Sequence, residues 1–273
     1  MLHSIAQTVA LTNWGNSALR RGLDLQQAGF FPGNTVFKEC KSVRFVDADP
    51  KTAAGGEADY AADPLEWIKI LRESRVQLLR LHYSPSKKED QSDRIASSVG
   101  EGGRWFIEAV KVLASDFWEA HWEKGEGGKA SVVYKRVSAN ESVRPIDFHS
   151  SLEEINSRLE KGLKAMAEFA RGHGQEKFAK SFEDGAKIAE DSKSPLASVS
   201  YPDILYPEHF SLKAKRALGA VQTAWVFGGK GSWNDVRLDD DQDHETYEKF
   251  SDEAYTLFCR AIVYATNSGF LKE

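Results

Sequence analysis

Apolar residues fall into two textures along the chain, short runs broken by turns up to about residue 147 and long helical periods beyond it. In the first half a helix is predicted from Asn16 to Gln27, stopped by Gly29 and Pro32. Val36, Phe37, Val43, Phe45 and Val46 mark a strand over 36–46. Thr52 to Glu57 is small and polar and reads as a flexible link. Pro64 suits the first position of a helix reaching Leu71, with Asp63 as its N-cap and Leu65, Ile68 and Leu71 on its buried face. A strand follows from Val76 to Tyr83, closed by Pro85, and Ser84 to Asp93 is a polar loop. Gly100 to Gly103 breaks the chain before the apolar-rich run Arg104 to Leu113. Asp116–Glu123 and Ser131–Val137 then form a hairpin around Lys124–Lys129, whose glycines supply the positive φ of a tight turn.

From His149 the apolar period becomes 3.6. Ser150 and Glu153 have capping-box spacing, and Leu152, Ile155, Leu159, Leu163, Met166 and Phe169 make a stripe ending at Gly172. A second helix runs from Gln175 to Glu190 with Phe178 and Phe182 one turn apart, and the prolines at 195, 202 and 207 mark a long connection. Ser211 caps a third helix, with Leu218, Val221 and Trp225 inward and a stop at Gly228-Gly229. A fourth spans Glu245 to Thr266, with Tyr247, Phe250, Ala254, Leu257, Phe258, Ala261 and Ile262 on its buried side. The order predicts an α+β chain. A mostly antiparallel sheet with helices occupies residues 1–147, followed by a four-helix bundle-like domain over 148–273.

Composition narrows the function classes. With 273 residues and 41% hydrophobic content, the chain is long enough to bury a core without a metal or disulfide staple. A net charge of -5 disfavours broad nucleic-acid binding. Cys40 and Cys259 form no CxxC pair, and no apolar run reaches the ~18 residues of a membrane span, so a cytoplasmic protein without a membrane partner is expected. No cofactor motif stands out. The segment Phe227–Asp235 lacks the P-loop's first glycine, Ala224 standing in its place, and Gly231 follows Lys230 where Ser or Thr is required. It therefore reads as a helix stop and loop.

Two constellations carry candidate chemistry. On the first hairpin strand Glu119, His121 and Glu123 alternate with Trp118, Ala120 and Trp122, so one face carries two carboxylates around an imidazole. That set suits acid–base chemistry or a divalent metal. The preferred reading is a solvated face, with the tryptophans on the core and Lys135 or Arg136 opposite as salt partner. The second runs from Trp233, Asn234 and Asp235 to Asp239, Asp240, Asp241 and Asp243. Counted as an EF-hand from Asp239 it puts His244 where Gly belongs and Phe250 where Glu belongs, so no metal is assigned there. Asp243 or a neighbour suits a helix cap, and the aromatic, acidic loop as a whole suits a basic protein partner.

At Gly102-Gly-Arg-Trp-Phe-Ile-Glu108 with Phe117-Trp-Glu119, and at Phe227–Asp235, the chain resembles uncharacterised bacterial proteins. The second segment is also similar to small helical proteins of the kind that act as immunity partners of contact-dependent toxins. The resemblance implies a bacterial binding protein and carries over no catalytic residue. An enzyme built on the Glu119/His121/Glu123 face is the competing expectation.

Overall fold

A computed structural model describes the chain except residues 52, 54–55, 87–91, 97–101, 125–128, 143–149 and 271–273, and the side chain of Lys124. The expected glycine turn at 124–129, part of the break at 100–103 and the boundary near 147 therefore lie largely outside the described residues. The elements are α1 (His3–Arg21), β1 (Cys40–Asp47), β2 (Ala58–Ala61), α2 (Pro64–Glu73), β3 (Leu78–Ser84), α3 (Asp93–Ala96), β4 (Arg104–Val110), β5 (Ala114–Lys124), β6 (Ala130–Ser142), α4 (Leu152–Gly172), α5 (Glu176–Asp191), α6 (Leu212–Ala224) and α7 (Asp241–Ser268). The fold is α+β. Its six strands form one sheet in the order β2-β1-β6-β5-β4-β3. That sheet is mixed, since β1 runs parallel to β6 while the other neighbouring pairs are antiparallel.

Helix α1 replaces the helix expected at 16–27. Every residue from Ile5 to Ala18 is buried, polar ones included, and Gly22 ends the helix with φ 72°. The short polar side chains are satisfied locally: Thr8 Oγ1 donates to the Ser4 carbonyl at 2.9 Å, Thr12 to Thr8 at 2.9 Å and Ser17 to Asn13 at 3.0 Å. A helix buried on all sides has no polar face, so its 3.6 period is muted in the sequence. Helices α1 and α2 cover one face of the sheet. There Trp67 of α2 stacks on Phe45 of β1 (centroids 4.5 Å apart) and meets Trp118 edge-on. From α1, Gln7 and Thr8 bond the hydroxyl of Tyr134.

The chain closes the β3 edge with side-chain amides. Asn16 of α1 donates to the Leu79 carbonyl at 2.8 Å and accepts from its N–H at 2.7 Å. Asn267 of α7 does the same for Leu81, at 2.9 and 2.8 Å. A carboxamide carries a donor and an acceptor side by side, like a peptide group, so the two asparagines stand in for a further strand.

The C-terminal part is helical. Helix α4 packs against α5, α6 and α7, α5 against α6, and α6 against α7. The capping box sits one residue later than expected, on Ser151 and Glu154. Asp63 with Pro64, and Ser211, cap α2 and α6 as predicted. Gly185 of α5 permits a close approach to α6, because a Cβ there would lie 2.8 Å from that of Ala224. Buried side chains from both halves of the chain belong to one continuous cluster. Among the described residues no helix is long and apolar enough to cross a membrane.

Candidate functional site

Glu119, His121 and Glu123 share the sheet face opposite α1 and α2, while Trp118 is fully buried on the inner face. Glu119 is held by Arg104 of β4, whose Nε and Nη2 donate to its two oxygens at 2.7 and 2.6 Å. The Arg104 guanidinium also lies 4.7 Å from the centroid of the Phe106 ring. Neither expected salt partner takes that place. Lys135 stands opposite Glu119 in register, but its ammonium pairs with Glu57. Arg136 points to the inner face, where it pairs with Asp47 and covers the Tyr60 ring. His121 Nε2 is 3.9 Å from Glu119, beyond hydrogen-bond reach. Burial lowers the His121 pKa against the opposing pull of Glu119. Glu123 is exposed. Among the described residues no three His, Cys, Asp or Glu side chains converge as metal ligands, so the metal reading of this face has no ligand set.

The same face holds a better-ordered acid–base pair that sequence spacing does not reveal. His82 of β3 places Nε2 2.7 Å from Glu108 Oε2, and Ser115 donates to Glu108 Oε1 at 2.6 Å. Arg80 adds a cation at 3.6 Å. Glu108 is 2% exposed. Burial alone would raise its pKa, but the bonds from His82 and Ser115 outweigh it and hold the carboxyl below its ordinary value. Register explains the meeting: Arg80 lies opposite Glu108 and His82 opposite Phe106, so His82 reaches the carboxylate diagonally. The hydroxyl of Ser115 is committed to Glu108 rather than to the imidazole. This trio therefore orients the His82 imidazole and leaves no serine hydroxyl free beside it as a nucleophile.

The acidic, aromatic segment separates into an inside and an outside. Trp233 is not a surface aromatic: it is fully buried, edge-on to Phe178 and Phe182. Its Nε1 donates to Ser251 at 2.7 Å, and its carbonyl accepts from the Tyr247 hydroxyl at 2.6 Å. Asn234 is committed to Arg94, accepting from its Nη1 at 2.9 Å and donating to its carbonyl at 3.0 Å. Arg94, 1% exposed on its side chain, also binds Glu248 at 2.5 Å and Asp252 at 2.9 Å. It is a buried arginine that ties α3 to α7.

The carboxylates remain outside. Asp240 caps α7 by accepting from the N–H groups of Gln242 and Asp243. Asp243 pairs with His173 at 3.1 Å, and Asp235 accepts from the Gly231 N–H at 2.5 Å. Asp239 and Asp241 are exposed. Residues 235–253 contain nine carboxylates against Arg237 and Lys249, a larger negative charge than the net -5 of the whole chain. No protein-family model matches the chain, and neither a curated protein nor a solved structure similar to it was found.

Proposed function

We propose that the protein acts by binding a basic partner protein through the acidic surface around the start of α7. The observation that carries this reading is the charge distribution: all of the net negative charge sits in residues 235–253, and the rest of the chain carries a slight positive excess. A concentrated field of this kind steers encounter with an oppositely charged surface and favours it over neutral ones. The docked Trp233 and the Asn234–Arg94 bonds anchor the chain beneath that surface. The reading includes the immunity-type role in the cytosol and the bundle-like packing of α4 to α7. Free thiols at Cys40 and Cys259 suit a reducing setting. The test is affinity capture at low salt with the wild-type chain and an Asp239→Asn/Asp241→Asn/Glu245→Gln variant. A basic protein retained by the first, released by salt and not retained by the second is the expected result. Equal retention by both would reject the reading.

A second reading, acid–base catalysis, rests on His82 and Glu108 rather than on Glu119, His121 and Glu123. The 2.7 Å contact anchors a partly exposed imidazole on a buried carboxylate, an arrangement that orients the ring so that it can reach a proton of a bound molecule. Turnover of any substrate by the wild-type chain that disappears in both His82→Gln and Glu108→Gln, with folding intact, would favour it.

A further inference from the structure

Between α4 and α7 lies a groove whose apolar part is lined by Gly162, Met166, Phe250 and Leu257 and holds about 150 Å³. It continues past Leu257 into a more open section lined by Asp252 and Glu253 and, further along α7, by Arg260 with Arg158 of α4. The apolar part is smaller than the ~300–1,000 Å³ of sites that enclose a small-molecule ligand. It fits side chains of another helix. The groove is also polarised along its length. Every carboxylate of α7 lies in residues 241–253, and beyond them the helix carries a single charge, Arg260, beside which α4 places Arg158. A uniformly basic helix would meet Arg158 and Arg260 at one end, and a uniformly acidic one would meet Asp252 and Glu253. A second copy of this groove, turned end for end, has the complementary order.

We infer that the α4–α7 groove is a two-fold interface with a second copy of this chain, in which the α7 helices run antiparallel and Arg158 and Arg260 of one copy face Glu253 of the other. A two-fold contact uses the same patch twice, so each charge pair occurs twice and the half-buried Phe250 and Leu257 of each copy pack into the other's groove. The contact goes beyond the partner-binding reading and uses none of Asp239, Asp241 and Glu245, the residues on which that reading is tested.

Sedimentation equilibrium of the full chain at low ionic strength tests it. The wild type is expected at twice the chain mass of 30.4 kDa. Arg158→Glu and Glu253→Arg are each expected to sediment at the chain mass, and the triple variant Arg158→Glu/Arg260→Glu/Glu253→Arg is expected to recover the dimer, because both charge pairs are restored with their signs reversed. Ala165→Glu, at an exposed position lining the apolar part, is expected to give the chain mass with an unchanged far-UV circular dichroism spectrum. A wild type at the chain mass up to about 100 μM, where a Kd near 1 μM would be saturated, would overturn the inference and leave the groove to a helix of a different protein. A dimer untouched by Arg158→Glu, Glu253→Arg and Ala165→Glu would overturn it as well, placing the contact elsewhere.

Discussion

Replacing Asn16 with Leu removes one of the two side-chain amides that close the β3 edge. Leu is close to Asn in size, so the backbone keeps its place, but the Leu79 N–H and C=O lose partners at 2.7 and 2.8 Å in a fully buried environment. Each buried polar group left unpaired costs about 1–3 kcal/mol, and the added apolar contact returns part of that, so a net loss of about 2–4 kcal/mol is expected. The Asn267→Leu variant strands the same two groups on Leu81 and is expected to cost a similar amount. Asn16→Asp separates geometry from chemistry. It keeps an acceptor for the Leu79 N–H but sets a carboxylate against the Leu79 carbonyl, so it is expected to be no more stable than Asn16→Leu. Urea denaturation measures the loss, and hydrogen exchange at the Leu79 and Leu81 amides localises it. Both Leu variants within about 0.5 kcal/mol of wild type, the range of an ordinary surface change, with the two amides still protected, would refute the edge-closing role.

Three further outcomes follow from the same structure. Trp233→Ala is expected to lose about 3–5 kcal/mol of stability in a denaturant titration, as a large buried side chain does, whereas a surface aromatic would lose almost nothing. The bond to the Phe169 carbonyl and the ion pair with Asp243 raise the His173 pKa. Its contribution to stability is therefore full below the ordinary value of about 6.5 and is lost as pH rises through the raised folded value, a dependence that His173→Gln is expected to flatten in thermal melts across that range. Glu108 has the opposite sign. Its lowered pKa gives a contribution that is full above about pH 4.3 and is lost as pH falls through the folded value, and Glu108→Gln is expected to remove that acid-side slope in urea titrations run as a function of pH.

How much of this could be read from the residues depended on whether a signal was local. Helix α2 was legible because Asp63, Pro64 and the Leu65–Ile68–Leu71 spacing all lie within two turns, and the β5–β6 hairpin because its strands are adjacent in the chain. The start of α4 was displaced by one residue, since Ser150 and Ser151 stand three residues before Glu153 and Glu154 respectively and only backbone geometry chooses between them. Helix α1 was misplaced because Gln7, Thr8, Thr12, Asn13 and Asn16 interrupt its apolar pattern and yet are buried. The parallel pairing of β1 with β6 joins residues about ninety positions apart and has no local mark. In the candidate sites the alternation of Glu119, His121 and Glu123 was visible, but their partner Arg104 depends on the β4–β5 register. The His82–Glu108 pair depends on register in the same way. The polar sequence neighbours of Trp233 point it outward, whereas its spatial neighbours, Phe178, Phe182 and Tyr247, come from two helices, α5 and α7.

The acidic surface at the start of α7 is what the functional reading stands on. Hydrogen exchange on the complex with a basic protein captured by the wild-type chain tests it most directly. Added protection confined to residues 235–253, declining as salt is raised, is the expected result. Protection on the β3–β5 face around His82 and Glu119, with residues 235–253 exchanging as in the free protein, would contradict it.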